Sequence, residues 1–209
     1  MEQGGSSVSA GVLGMVAGYS DTVGYLSYGT FAGLMTGNTI LLAIALARGD
    51  GAQTLHNAGI IAAFYGGVAA AALLKNAGLQ LGWLLLIEAA LLLAAGASAP
   101  PAAPFLLAAS MGVQNAAATR FAGAPLNTVV LTGDVQKLIQ GLAARLVPDR
   151  SAEGVAVAVP WLWLGYFAGA LLGAAAHAAL RRPLLLAPLL LPFVLLRGRV
   201  SRSAATAPR

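Results

Sequence analysis

The chain has 209 residues, of which 58% are hydrophobic and only 9% are Asp, Glu, Lys or Arg. Ordinary soluble domains carry about a quarter charged residues, so this composition excludes a water-soluble fold. The net charge of +5 comes largely from basic residues in predicted loops and the C-terminal tail, which fits membrane topology and anionic headgroups better than nucleic acid.

Long apolar runs predict an all-α, polytopic transmembrane helix bundle. They approach the roughly 20 residues that cross a hydrocarbon core of about 30 Å, and they lack the alternation of barrel strands. Residues 1–12 hold an acid but no Lys or Arg, unlike a cleavable signal peptide, so we expect the first helix to be retained. The predicted spans cover about 8–26, 31–47, 58–74, 81–97, 105–119, 126–144, 155–180 and 184–196, and residues 197–209 form a basic, flexible tail.

The last apolar run decides between seven and eight spans. As a helix, residues 184–196 would extend only about 20 Å, and Pro188 and Pro192 would bend it. Eight spans leave seven basic residues on one side of the membrane and four on the other, which favours cytoplasmic termini. Seven spans gather even more positive charge on one side and put the N-terminus outside, so charge alone leaves the number open.

The chain is predicted to be one membrane domain, residues 1–209, made of two related halves at about 8–98 and 104–196. Four spans per half is an even number, so the halves would enter the membrane in the same direction, about an axis along the membrane normal. This predicts two parallel four-helix repeats. The alignment pairs Gly18-Tyr-Ser-Asp21 with Gly112-Val-Gln-Asn115, Met35-Thr-Gly-Asn38 with Leu131-Thr-Gly-Asp134, and Phe64-Tyr-Gly-Gly67 with Tyr166-Phe-Ala-Gly169.

Polar side chains recur at equivalent depths in the two halves. A charged group at the centre of a membrane helix costs about 2.5–3.5 kcal/mol, so the two acids need a partner, a proton or a wet cavity. An axis between the halves would bring Asp21, Asn38, Asn115 and Asp134 toward a common centre. They would then either form a solute or proton path or act as fold determinants, bonded across helices at about 0.6 kcal/mol per bond. The predicted substrate-binding set is Asp21, Thr36, Asn38, Gln114, Asn115, Thr132 and Asp134.

Three charged side chains are candidate partners of this set. Lys137 follows Asp134 by three residues and shares its helix face, which favours a local ion pair. Arg120 either snorkels to headgroups or turns inward toward an acid. Glu88 is a lone acid in an apolar helix, without a counterpart in the second half. It could be a protonatable site, a partner of Lys75 or Arg182, or an oligomer contact.

Glycines accompany the Thr-Gly-Asn and Thr-Gly-Asp segments. If the helices break there, freed backbone groups could coordinate a solute, as discontinuous helices do in transporters. Close packing is the alternative, since small residues four apart form seams within a bundle or between copies of a chain. Such stripes contain Gly29, Gly33 and Gly37, then Gly165, Gly169 and Gly173, and the pair Gly14 and Gly18.

Four motifs in this chain are similar to those of a known family. They are Gly18-Tyr19-Ser20-Asp21, Met35-Thr36-Gly37-Asn38, Met111-Gly112-Val113-Gln114-Asn115-Ala116-Ala117 and Thr132-Gly133, with Arg120 shortly after the third. In these motifs the chain resembles the YoaK family of bacterial multi-pass membrane proteins. Asp134 departs from the small polar residue expected after the second Thr-Gly. The resemblance implies a bacterial inner-membrane location and supplies no substrate.

Sequence signatures of catalysis are absent. There is no phosphate-binding glycine loop with a Lys, no HExxH and no Cys, and His56 and His177 alone cannot assemble a zinc site. We expect no enzymatic activity, no cofactor, no metal and no nucleic-acid partner. The leading hypothesis is a small-solute transporter or permease in the lipid bilayer, whose acids could couple movement to protons. The alternative is a non-transporting membrane scaffold or partner subunit.

Overall fold

The computed structural model describes residues 2–121, 124–129, 131–144 and 155–194, which fold into a helix bundle with one very short hairpin. The predicted all-α class is therefore confirmed. Residues 145–154, between the sixth and seventh predicted spans, and the predicted tail at 197–209 lie outside the described residues. The helices are α1 (Glu2–Tyr28), α2 (Met35–Ala47), α3 (Gly51–Asn76), α4 (Leu81–Ala97), α5 (Ala102–Ala117), α6 (Leu131–Ala144) and α7 (Val155–Ala179), followed by a 3₁₀ helix at Pro183–Leu190; β1 (Arg120–Phe121) pairs antiparallel with β2 (Ala124–Pro125).

Two of the described helices are long and apolar enough to cross a membrane, at Gly51–Asn76 and Ala158–Ala179. Met35–Ala47, Leu81–Ala97 and Pro183–Val194 are shorter apolar helices. Large apolar side chains also cover the outside of the bundle: Leu55 is 76% exposed, Leu73 is 69% and Leu189 is 68%. Such a surface is unfavourable in water and suits a hydrocarbon solvent.

The second and sixth predicted spans begin later than expected. Gly29 has φ 68° and reverses the chain after α1, and α2 begins only at Met35 instead of residue 31. Likewise α6 begins at Leu131 instead of residue 126, because the hairpin and the segment after it come first. Residues 29–34 and 124–129, called segment A and segment B below, are thus the non-helical stretches between consecutive helices.

The Thr-Gly motifs do not interrupt helices. Thr36, Gly37 and Asn38 lie in the first turn of α2, and the aligned residues 132–134 lie in the first turn of α6. Both breaks precede the motifs. The expected stripe of Gly29, Gly33 and Gly37 is accordingly not a helical seam, since two of its members belong to segment A.

The last apolar run is tighter than an α-helix. Pro183 and Pro188 lack the N–H that an α-helix would use, and residues 183–190 adopt the 3₁₀ form. At about 2 Å per residue, the apolar stretch Pro183–Val194 extends over roughly 20 Å. It packs on α4 and α1, where Leu185 covers Gly96.

Close backbone contacts at glycine join α1 to α7 and α3 to α5, the two most extensive helix pairs. Gly18 of α1 lies against the carbonyl of Tyr166, and Gly112 of α5 lies in the same way against the carbonyl of Phe64. A Cβ at either glycine would overlap that carbonyl oxygen. Helices meet this closely only where side chains are absent.

The same two helix pairs have a second close contact each. Gly169 of α7 lies against the carbonyl of Met15, and Gly67 of α3 lies against the carbonyl of Ala109. The α1 and α7 stripes therefore cover each other within one chain. A homo-oligomer formed through glycine seams stays a prediction, and it would need another surface.

Candidate functional site

Asp21 joins three elements of the bundle. Its side chain is 3% exposed. Oδ1 accepts hydrogen bonds from the N–H groups of Gly33 at 2.6 Å and Leu34 at 3.4 Å, and Oδ2 accepts one from the Tyr166 hydroxyl at 2.8 Å. Because segment A is not helical, its buried N–H groups need acceptors from elsewhere. One carboxylate thus fixes segment A to α1 and α7.

Asn38 holds the beginning of segment A. The buried amide accepts a hydrogen bond from Phe31 N at 2.9 Å and donates one to Phe31 O at 2.7 Å. An amide side chain carries both a donor and an acceptor, so it satisfies the two backbone groups of one residue. Asn38 therefore acts on its own half of the chain.

Asp134 does the equivalent work in the second half. Its Oδ2 accepts a hydrogen bond from Asn127 N at 2.6 Å, and Asn127 Oδ1 in turn accepts one from Val129 N at 3.0 Å. Asn127 aligns with Phe31 and Asp134 with Asn38. Asp134 thus bonds segment B at the position where the aligned Asn38 bonds segment A. Both side chains supply an oxygen acceptor to a backbone N–H, which explains why either residue type serves there.

Gln114 connects α5 to α1 and to segment B. Its Nε2 donates to Leu13 O and to Thr128 Oγ1, both at 3.0 Å, and the side chain is fully buried. Within the described part of the chain, Gln114 Oε1 and the neighbouring Asn115 Oδ1 are buried without a hydrogen-bond partner. Buried polar atoms of this kind are where ordered water or a ligand is expected.

Segments A and B meet between the two halves. A Cβ at Gly33 would overlap Val129 Cγ1 and would lie 3.7 Å from Asp21 Oδ1 and from Met111 Cβ. Gly33 and Val129 occupy aligned positions. The common centre predicted for four polar side chains is thus formed by the two segments, because Asn38 and Asp134 bond to the backbone of their own segment.

A cavity of about 330 Å³ opens beside this junction. Of the predicted set, it includes Thr132, whereas the aligned Thr36 is exposed elsewhere. The aromatic members were not predicted. Tyr166 belongs to the motif that aligns with the Phe64 motif of the first half. The hydroxyl group that Tyr166 has and Phe64 lacks was the sequence signal that could have identified it. Among the residues that the structure describes, the lining contains Leu34, Val129, Thr132, Val135, Trp163 and Tyr166.

The candidate charge partners have different outcomes. Glu88 is 0% exposed, and neither carboxylate oxygen has a hydrogen-bond partner among the described residues, so its pairing with Lys75 or Arg182 is wrong. The side chains of Arg120 and Lys137 lie outside the described residues. The ion pair of Lys137 with Asp134 stays a prediction.

Two basic side chains contact the C-terminal ends of the central helices. Lys75 Nζ lies 3.3 Å from Ala116 O in the last turn of α5. His177 Nδ1 lies 3.2 Å from Ser27 Oγ in the last turn of α1. Carbonyl groups at a helix C-terminus favour a cationic donor such as Lys75. Lys75 and His177 occupy aligned positions in α3 and α7.

Replacing Asp134 tests its structural role. Asp134→Asn is expected to change the free energy of unfolding by less than about 0.5 kcal/mol, because Asn38 performs the same function with an amide oxygen. Asp134→Ala is expected to cost about 1–3 kcal/mol, since Asn127 N loses its acceptor. Chemical unfolding in mixed micelles measures both, with exposed Thr36→Ala as the control. Equal losses for the amide and alanine variants would show that charge, not acceptance, matters.

Comparison with known proteins places the chain in a family. A family model described as a protein of unknown function (DUF1275) matches residues 9–197. A UPF0700 transmembrane protein of Rhizobium meliloti (strain 1021) is 34% identical over 179 residues, which cover 78% of this chain and 72% of the relative. No solved structure matches the chain with significance.

These matches agree with the apolar helices and with the resemblance found in the sequence motifs. A membrane location is supported by the similarity to a transmembrane protein and by the two helices that are each long enough to cross a membrane. The resemblance to YoaK-type membrane proteins is confirmed. Because the family model covers nearly the whole chain, this protein belongs to the DUF1275 family.

Proposed function

We propose that this protein is a bacterial inner-membrane transporter or permease for a small solute, which binds in the cavity between segment A, α6 and α7. The observation that carries the proposal is the position of this cavity. It lies where segments A and B meet at Gly33 and Val129, next to the buried Asp21 and Tyr166 pair. Non-helical backbone in lipid is tolerated where it is buried or lines a cavity, which is how transporters build their sites.

The proposed architecture is two parallel four-helix repeats, and several equivalent contacts support it. The Gly18 contact with Tyr166 corresponds to that of Gly112 with Phe64. The bond between Asn38 and Phe31 corresponds to that between Asp134 and Asn127. The packing of α4 on α5 likewise corresponds to that of the 3₁₀ helix on α1. An approximate twofold axis along the membrane normal accounts for all three.

The same correspondence favours eight spans with both termini in the cytoplasm. The 3₁₀ helix takes the place in the second half that α4 takes in the first, and the two pack against each other. Because the 3₁₀ helix packs in the position of a span, we expect it to cross the membrane, although its prolines make it tighter than an α-helix. Seven basic residues then lie on the cytoplasmic side against four on the other.

Rocking of one half against the other is the proposed mechanism. Movement at the Gly33 and Val129 contact would change access to the cavity, since both residues belong to segments that their own halves hold in place. In this scheme Thr132 and Tyr166 supply hydroxyl groups to the solute. Asp21 keeps segment A and the cavity wall in register.

Flux measurements in proteoliposomes test the proposal. The swelling of the proteoliposomes is followed in a panel of small neutral, cationic and anionic solutes, and liposomes without protein give the baseline. Thr132→Trp fills the cavity and is expected to lower flux about tenfold or more, by excluding the solute sterically. The aligned Thr36→Trp is the matched control, because Thr36 is exposed away from the cavity. Flux at the empty-liposome level for the entire panel contradicts transport.

A membrane scaffold or partner subunit is the second candidate, favoured by a specific observation. Asp21, Asn38 and Asp134 all bond to backbone groups of segments A and B, which is a structural use of polar side chains. In that case Thr132→Trp should leave cell growth and partner association unchanged, while Asp21→Ala should reduce the amount of folded protein.

A further inference from the structure

We propose that the cavity selects a small lipophilic cation, such as a quaternary ammonium group carried on an aromatic ring. This inference rests on the cavity of the proposed function and specifies its substrate class. Three features of the structure point to it: the carboxyl group of Asp21, the aromatic wall, and the difference between the pair of α1 and α7 and the equivalent pair of α5 and α3.

The Asp21 side chain accepts hydrogen bonds from several donors. Gly33 N, Leu34 N and the Tyr166 hydroxyl each donate one to its oxygens. A carboxylate that only accepts is stabilised in its charged form. Among the side chains that the structure describes, no Lys or Arg forms an ion pair with it. The proposal assigns the neutralising positive charge to a ligand in the adjoining cavity.

The charge lies directly behind the cavity wall. Leu34 and Tyr166 both line the cavity, and each donates a hydrogen bond to Asp21. The other described lining residues include the apolar Val129 and Val135 together with Thr132. In apolar surroundings a carboxylate acts over several ångströms with little screening, and it attracts a cation that sheds its water readily.

Aromatic rings form the side of the cavity that adjoins lipid. Trp163 lines the cavity and stacks on Phe167, with the ring centroids 5.6 Å apart and the planes at 4°. Trp163 is 46% exposed and Phe167 is 50% exposed on the apolar surface of α7. Indole and phenol faces bind quaternary ammonium groups through cation–π attraction.

The equivalent pair of α5 and α3 lacks these features at the aligned positions. Asn115 stands in place of Asp21, Phe64 in place of Tyr166, and Ile61 in place of Trp163. The carboxyl group, the hydroxyl and the indole therefore occur together only in the pair of α1 and α7. Packing alone would not require this combination, since α5 and α3 make the equivalent close contact without it.

Binding to the full chain in detergent tests the selectivity. In a Trp83→Phe and Trp161→Phe background, Trp163 is the remaining tryptophan and its fluorescence reports ligand at the cavity. The probes are benzyltrimethylammonium, its neutral isostere neopentylbenzene, and phenylmethanesulfonate as the anion. The cation is expected to saturate the signal at a concentration about tenfold or more below the neutral isostere, because it alone gains from the carboxylate. The anion is expected to bind more weakly than either.

Asp21→Asn should abolish the preference for the cation and leave the affinity of neopentylbenzene within about twofold, because the amide keeps an acceptor for Gly33 N. Glu88→Gln is the control, since it removes a buried acid in α4, away from the cavity, and should keep the preference. The comparison of the three probes in the Trp83→Phe and Trp161→Phe background needs no substitution at Asp21.

Equal binding of cation and neutral isostere would overturn the cation proposal while leaving the cavity and its transport role in place. Retained preference in a folded Asp21→Asn protein would also overturn it, because the selectivity then has another source. Absence of saturable binding by every probe would overturn the cation site, and the solute fluxes described above would then decide separately on transport.

Discussion

Replacing Gly67 with alanine is expected to lower the free energy of unfolding by about 3 kcal/mol, and to reduce the yield of folded protein severely. The new Cβ would overlap the carbonyl of Ala109 in α5, and main chain at the centre of a helix pair cannot move aside as a side-chain tip can. Overpacking of a tight core costs about 1–3 kcal/mol or more, and this contact is with backbone. Chemical unfolding in mixed micelles measures the loss.

The neighbouring Gly66→Ala is the matched control. A Cβ at Gly66 would have no neighbour within 4 Å, so its expected effect is neutral or stabilising by up to about 1 kcal/mol through helix propensity. Gly169→Ala in α7 should match the loss seen for Gly67→Ala, since its Cβ would overlap the carbonyl of Met15. Similar stabilities for the variants at positions 66 and 67 would falsify the close approach of α3 and α5.

Composition and motif spacing predicted the class of the fold because apolar burial is a property of whole segments. The helix bundle and the aligned motifs follow from runs of apolar residues and from recurring glycines. The starts of α2 and α6 did not follow, since residues such as Phe31 and Leu126 are as apolar as the helices after them. Side chains seven residues further along the chain hold these segments instead: Asn38 bonds Phe31, and Asp134 bonds Asn127.

The polar side chains that hold segments A and B were identified from the sequence, but the cavity and most of its lining were not. Asp21, Asn38 and Asp134 were identified because acids and amides are costly in lipid. Their partners are backbone N–H groups, which every sequence position offers equally, so no pattern indicates which will be used. Trp163 and Tyr166 carried no such cost, and only the packing of α7 beside segment A reveals them as a wall.

Asp21→Ala is expected to destabilise the protein by about 3–5 kcal/mol, while Asp21→Asn costs about 1 kcal/mol. Alanine leaves the N–H groups of Gly33 and Leu34 and the Tyr166 hydroxyl without their acceptor in a site that water does not reach. Asparagine keeps Oδ1 for Gly33, and its amide can donate to the Tyr166 oxygen. Unfolding in mixed micelles compares the two variants.

Tyr166→Phe separates the two ends of the Asp21 network. It removes the bond to Oδ2 and leaves segment A attached through Oδ1, so its cost should be only about 1 kcal/mol, and Phe64 shows that phenylalanine fits the aligned place in α3. The unsubstituted protein should therefore be the most stable, the Asp21→Asn and Tyr166→Phe variants should follow together, and Asp21→Ala should lie far below them. The contact with α7 is the one that both Tyr166→Phe and Asp21→Ala remove. If Tyr166→Phe destabilised the protein as much as Asp21→Ala, the main role of the carboxylate would be to hold α7, not segment A.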